Sequence, residues 1–193
     1  MCRIAVAPCS PFSVTGDLLR ASADLAREKG VRLHTHLAET DDEEVFCRER
    51  FGSTPMEYME SVGWVGPDVW FAHTVHLDDA AIAAMAAGGM GAAHCPVSNG
   101  RLGAGIARVP DMLAAGIPVG LGVDGAASNE SSVLWEEMHT SLLLARATGG
   151  SRAMDVRTAL RMATVGGACV LGRESEIGRL APGYLADVAL WRL

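Results

Sequence analysis

Val119-Gly120-Leu121-Gly122-Val123-Asp124-Gly125 is a short apolar run, spaced by glycines, that carries a carboxylate at its end. A run of this length with glycine and proline around it reads as a strand. An acid at the end of so apolar a segment needs a cation or several donors nearby. The arrangement recurs upstream: Val31 to Leu37 holds His34 and His36, Val69 to His73 closes on His73, and Gly91 to Cys95 contains His94. A further strand is expected near Arg3 to Ala7, and the strand around Asp124 runs from Pro118 to Val123. Helical patterns fill the intervals at Gly16 to Lys29, Asp41 to Arg50, Asp78 to Ala87 and Val109 to Ala115. Alternation of this kind marks parallel βα units and an α/β fold.

Periodicity alone fits either an open doubly wound sheet or a piece of a barrel. The reactive side chains at the strand ends favour the barrel, because barrel enzymes draw their catalytic groups from several strand ends. A complete (β/α)8 barrel takes roughly 250 residues, so a chain of 193 residues is expected to form a partial one. Two longer helices are expected at Glu130 to Ala147 and Asp155 to Leu171, the second closed by Gly172. Beyond them Gly178, Pro182 and Gly183 punctuate the tail from Ile177 to Leu193, with one more strand expected at Asp187 to Leu190.

Composition narrows the function classes. At 49% hydrophobic and 20% charged residues the chain reads as a globular domain with an ordinary core. The net charge of -7, without a basic stripe, excludes nucleic-acid polymers as partners. No apolar run reaches the roughly 18 residues of a membrane span, and the first residues lack a signal-peptide layout, so a cytoplasmic location with no membrane partner is expected. Five scattered cysteines, Cys2, Cys9, Cys47, Cys95 and Cys169, form no CxxC pair and read as packed thiols.

The candidate site lies at the strand ends. His36-Leu37-Ala38-Glu39 offers an imidazole and, three residues on, a carboxylate free for proton transfer. His73 ends an apolar strand, where an unpaired imidazole is costly unless it is hydrogen-bonded or bound to metal. Imidazoles with Asp124 make a suitable ligand set for zinc or another divalent ion such as iron, with one position open for water. Such an ion lowers the pKa of that water toward neutrality. His94, Asn99 and Arg101, in and after His94-Cys95-Pro96-Val97-Ser98-Asn99, are candidate substrate contacts, the last two on a polar loop. His34 is assigned to the strand face opposite His36, in a supporting role. His76 and His139 are read as surface histidines. Trp64, Trp70, Trp135 and Trp191 are read as core or interface aromatics rather than a base-stacking platform.

In this order the motifs resemble the amidohydrolase superfamily, in its cytosine, guanine and triazine deaminase or hydrolase branch, and are most similar to 8-oxoguanine deaminases. The stretches that carry the resemblance are Ala7-Pro-Cys-Ser-Pro-Phe-Ser-Val14, His34-Thr-His-Leu-Ala-Glu39, Phe71-Ala-His73, His94-Cys-Pro-Val-Ser-Asn99, Gly120-Leu-Gly-Val-Asp124-Gly-Ala-Ala-Ser-Asn129 and Ile177-Gly-Arg-Leu-Ala-Pro-Gly-Tyr-Leu-Ala-Asp187. The resemblance implies a (β/α)8 barrel with one zinc ion, of which this chain supplies about strands four to eight. Residues 1–175 would be barrel with a C-terminal helix, and residues 176–193 a short β tail belonging to a small β-domain. It further implies that His36 and Asp124 bind the metal, that Asp124 accepts a proton from the water, that His73 holds the water, and that Glu39 moves a proton to the ring. The substrate class is a small heterocyclic base such as 8-oxoguanine. The family's His-x-His pair on its first strand has no counterpart before Ala7, so the chain is expected to be a fragment with an incomplete metal site. Triazine-type dechlorination or amine hydrolysis remains an alternative function, as does a non-catalytic half-barrel assembly module. A homo-oligomer is also open.

Overall fold

The computed structural model describes residues 2–190. Five parallel strands, β1 (Ala5–Val6), β2 (Arg32–Leu37), β3 (Val69–His73), β4 (Gly91–His94) and β5 (Val119–Leu121), form one sheet in the order β1-β2-β3-β4-β5. Each strand pairs with the next in sequence. A doubly wound sheet reverses its strand order at a switch point, whereas a barrel adds each strand to the same side. The unbroken order therefore makes this sheet an arc of a barrel, which settles what periodicity left open.

Helices return the chain from each strand to the next. α1 (Gly16–Lys29) starts where the Thr15 side chain accepts the Leu18 N–H, and stops at left-handed Gly30. α2 (Asp41–Phe51) opens with four acidic residues, which suit a helix N-terminus. α3 (Pro55–Ser61) was not anticipated, although Thr54 and Glu57 form a complete capping box with proline in the first turn. α4 (Asp79–Gly88) is capped by Asp78. The expected polar loop after His94 is a helix instead, α5 (Pro96–Leu102), again begun by proline. α6 (Val109–Ala114) then leads to β5.

After β5 the long helix expected at Glu130 to Ala147 begins only at Leu134, and an unanticipated turn of helix precedes it. A single turn, α7 (Ala126–Asn129), is separated from α8 (Leu134–Gly149) by Glu130 and Ser132, both at positive φ. The next helix runs through α9 (Val156–Arg161), a π-helical stretch Met162–Gly166, and α10 (Gly167–Val170). Gly172, at φ 63°, follows as expected. The π-helical stretch packs backbone to backbone on β5: a Cβ on Gly120 would sit 2.8 Å from the Gly167 Cα, and one on Gly166 would collide with the Val119 carbonyl.

The core fills the space between the outer sheet face and the helices. Leu33, Leu37, Phe71 and Val119 from the strands meet Leu19, Met59, Met85 and Met112 from the surrounding segments. Trp64 is fully buried there, its Nε1–H donating to the Leu19 carbonyl at 2.9 Å. The strand expected at Asp187 to Leu190 is absent among the described residues: that segment has no paired neighbour, and Leu190 is 93% exposed. A strand needs a ladder partner, which the apolar pattern of a tail cannot guarantee. Trp191 lies outside the described residues.

Candidate metal centre at the strand ends

β2, β3 and β5 converge their C-terminal ends on one point. One ligand atom each from His36, His73 and Asp124 lies within 4.8 Å of the other two. The His36 and His73 rings stack with centroids 5.2 Å apart. Glu39 Oε2 approaches His73 Nε2 to 3.8 Å, and its side chain is 24% exposed. The four residues singled out from the sequence are thus brought to one place.

Each imidazole is oriented by a hydrogen bond on its far side. His36 Nδ1 donates to the Cys9 carbonyl at 2.5 Å, and that same carbonyl accepts from the His36 N–H and the Thr35 hydroxyl. His73 Nδ1 donates to Asn99 Oδ1 at 2.8 Å. Both rings therefore keep Nε2 as the free acceptor, the tautomer that a metal or a water proton requires. Asp124 Oδ2 accepts from Ser98 Oγ at 2.5 Å and from Ser128 Oγ at 3.0 Å. Burial opposes its ionisation, but the bonds from Ser98, the Gly125 backbone and Ser128 outweigh it and hold the carboxyl below its usual range.

The backbone around the centre is unusual. Ala38, His73, Thr74, Asp124, Glu130 and Ser132 are the non-glycine residues with positive φ among those described; His73 ends β3 and the others follow β2, β3 or β5. Glu43, 3% exposed, accepts the N–H groups of Ala38 at 2.9 Å and Glu39 at 3.2 Å, fixing the turn that presents Glu39. Burial pushes the Glu43 carboxyl up in pKa, partly offset by these two N–H donors.

A cavity of about 250 Å³ opens beside His36 and Asp124 along the inner sheet face. His34 also lines it, which corrects its expected placement: alternation has period two, so residues 34 and 36 share a face. The His34 and His36 ring centroids are 5.9 Å apart, and His34 stacks on Trp70 at 3.6 Å. Trp70 thus lines the cavity instead of the outer core.

The remaining candidates divide. Asn99 is completely buried and holds His73. His94 is 2% exposed, is absent from the cavity lining, and is pushed down to a pKa of about 3 by burial and then by His73. Arg101 points outward into an ion pair with Glu130 at 2.7 Å. His76 is more engaged than a surface histidine, with Nδ1 3.0 Å from Asp41 and Nε2 2.7 Å from the Ala104 carbonyl. The Cys95 thiol is pushed up to about 12 by burial and neighbouring acids, so it is a packed group and not a thiolate ligand. Cys47 is buried too, but Cys2 and Cys9 are exposed, contrary to expectation. Sequence reasoning passed over Ser98, Ser128, Glu43 and Glu137. Of these only Ser98 carried a signal, its place in the first turn of a proline-initiated helix.

Comparisons with known proteins agree with this geometry. A protein from Pseudomonas aeruginosa named 8-oxoguanine deaminase is 51% identical over 191 residues, covering 99% of this chain and 42% of its own length. A zinc-bound structure described as an adenosine deaminase from Xanthomonas campestris superposes with a TM-score of 0.91 at 31% identity, over 94% of this chain and 42% of that one. A triazine hydrolase from Arthobacter aurescens superposes at 0.90 with 35% identity, over 96% and 41%. The chain therefore spans less than half the length of these relatives. No helix among the described residues is long and apolar enough to cross a membrane. The arc of parallel strands with histidines and an acid at its ends accords with the sequence model of the Amidohydrolase family, which matches residues 1–193, and the chain belongs to that family of enzymes.

Proposed function

We propose that this chain supplies one side of a metal-dependent centre that hydrolytically deaminates a heterocyclic base of the 8-oxoguanine kind. The observation that carries the reading is the convergence of His36, His73 and Asp124 within 4.8 Å, with Glu39 against His73. The donor set fits a zinc-type ion, since two imidazoles with free Nε2 atoms and one ionised carboxylate are ligands such ions take. His36 and Asp124 would hold the ion, together with the further ligands that the family resemblance implies. When bound, the ion supplies Lewis acidity that lowers the pKa of water toward neutrality.

The protein's own groups do the rest. His73, held through Nδ1 by Asn99, directs Nε2 at the attacking water. Asp124, kept ionised by Ser98 and Ser128, takes a proton from that water as its oxygen bonds to the amino-bearing ring carbon. Glu39 delivers a proton to the ring nitrogen beside that carbon. The carbon–nitrogen bond then breaks as Asp124 passes its proton to the departing amine, which leaves as ammonia, while the hydroxyl on the carbon returns its proton to Glu39 and a carbonyl remains. Asn99 and His94 support this arrangement from below, and Arg101 at the rim is the remaining candidate for a contact to ring oxygens.

The test combines the purified chain with zinc and the N-terminal portion of its 8-oxoguanine deaminase relative. Ammonia release from 8-oxoguanine is expected, and Glu39→Gln is expected to abolish it; release that survives Glu39→Gln overturns the assignment. The triazine hydrolase likeness supports a second reading with a different leaving group, which parallel assays on amino- and chloro-substituted rings would separate. A stable homodimer with no metal affinity would instead favour an assembly module.

A further inference from the structure

Glu137 lies in the first turn of α8 and is 0% exposed, yet it belongs to no part of the centre described so far. Its two oxygens reach two different helical turns. Oε2 accepts the Val97 N–H at 3.1 Å, and Oε1 accepts from Asn129 Nδ2. Val97 begins the turn of α5 that carries Ser98 and Asn99, the partners of Asp124 and His73. Asn129 ends α7, which carries Ser128, the other donor to Asp124. The two segments that both donate to Asp124 Oδ2 are therefore tied to one buried carboxylate.

The tie has a fixed polarity. Asn129 Oδ1 is already engaged by the Ser132 N–H at 2.6 Å, which can only donate, so its amide cannot turn over without losing that bond. Val97 can only donate. Both partners are thus donors, and only a group with two acceptor oxygens satisfies them. Burial raises the pKa of the Glu137 carboxyl, whereas the Val97 and Asn129 bonds lower it.

We propose that Glu137 is a positioning residue, which sets the distance between the Ser98 and Ser128 donors and so holds Asp124 and His73 in register. The idea rests on the metal-centre reading above, and it goes beyond it by assigning control of the centre to a helix that never touches it. Glutamine in its place has the same shape but offers an NH2 where one donor needs an acceptor. One of the two segments must then let go.

The experiment compares the full chain as wild type, Glu137→Gln and the core control Met85→Ala. Backbone and imidazole ¹⁵N spectra and amide exchange are recorded without metal, and Co2+ titrations follow. Glu137→Gln is expected to shift the His73 imidazole and the Ser98 and Ser128 amides. It should also speed exchange at Val97 and Ser132 on the order of 10-fold, and weaken Co2+ binding about 10- to 100-fold. Met85→Ala is expected to lower thermal stability without moving those signals. Unchanged His73, Ser98 and Ser128 signals in Glu137→Gln, or equal movement in Met85→Ala, overturn the proposal. If Glu137→Gln does not fold, Asn129→Ser is read by the same signals. Metal-free shifts that occur as stated support the positioning role whether or not the chain alone binds Co2+, whereas the metal reading stands or falls on the complemented deamination assay, so the two ideas fail separately.

Discussion

The C-terminal ends of the strands and the inner sheet face below them carry similar residues and treat them oppositely. At the ends, His36, His73 and Asp124 each have a partner: the Cys9 carbonyl, Asn99, and a pair of serines. Lower down the same face, Arg32 Nε, His34 Nδ1 and Trp70 Nε1 are buried with no hydrogen-bond partner among the described residues. Buried polar atoms in finished structures are nearly always satisfied. His94 Nδ1 and Asn99 Nδ2 near the strand ends lack partners among the described residues too, so the contrast holds for the groups that face the centre and not for every buried polar atom around it.

The sharpest way to test the upper region is Glu39→Gln. In the complemented enzyme it should lower deamination by about 10²- to 10⁴-fold, the usual worth of a proton-transferring group, with zinc affinity unchanged by competition against a chromophoric chelator. A fall in metal affinity of similar size would make Glu39 a ligand. Next in size, Asn99→Leu removes the partner of buried His73 and should cost about 1–3 kcal/mol in urea unfolding. His34→Phe should stay within about 1 kcal/mol of wild type, since the His34 Nδ1 has no hydrogen-bond partner among the described residues and the ring keeps its place against Trp70. Equal losses would erase the distinction between the regions.

Acid sharpens it further. Burial, and to a lesser extent His36, push His34 down to about 4, against an ordinary value near 6.5. Between those values the unfolded chain binds a proton on residue 34 that the folded chain refuses, so this contribution to stability is lost as pH falls through that window. Buried Glu43 and Glu137, raised in pKa, act with the opposite sign. The comparison is therefore made as a difference: His34→Phe should lose less stability than wild type between pH 7 and pH 4.5. The smallest effect belongs to Arg101→Ala, whose exposed pair with Glu130 should be worth under about 1 kcal/mol. A large rise in KM for that variant would identify Arg101 as a substrate contact.

Much of this arrangement was legible in the sequence, and the gaps have physical causes. Strands were readable because short apolar runs end in histidine or aspartate, and α1 because Thr15 and Gly30 mark its ends. The convergence of His36, Glu39, His73 and Asp124 followed from their common place at strand ends. α3 and α5 escape the sequence reading because each is only seven residues long, too short to show a helical period, and the polar residues of α5 resemble a loop; the proline in each first turn suits a helix start. Glu43 sits in the run Asp41-Asp42-Glu43-Glu44 and Glu137 beside Glu136, where one buried acid looks like its solvated neighbours. Their partners are backbone or amide groups brought close only by the fold. His34 needed no structure at all, because strict alternation already places it beside His36.

The left-handed backbone at Ala38, His73 and Asp124 has an implication for anyone who engineers this scaffold. Selection for heat resistance would favour glycine wherever side chains sit in such conformations, and Ala38 could accept it because its methyl group takes no part in the chemistry. His73 and Asp124 cannot make the exchange without losing the groups that matter. Part of the thermal tolerance open to this fold is therefore permanently forfeited at the two positions where it is most useful to be uncomfortable.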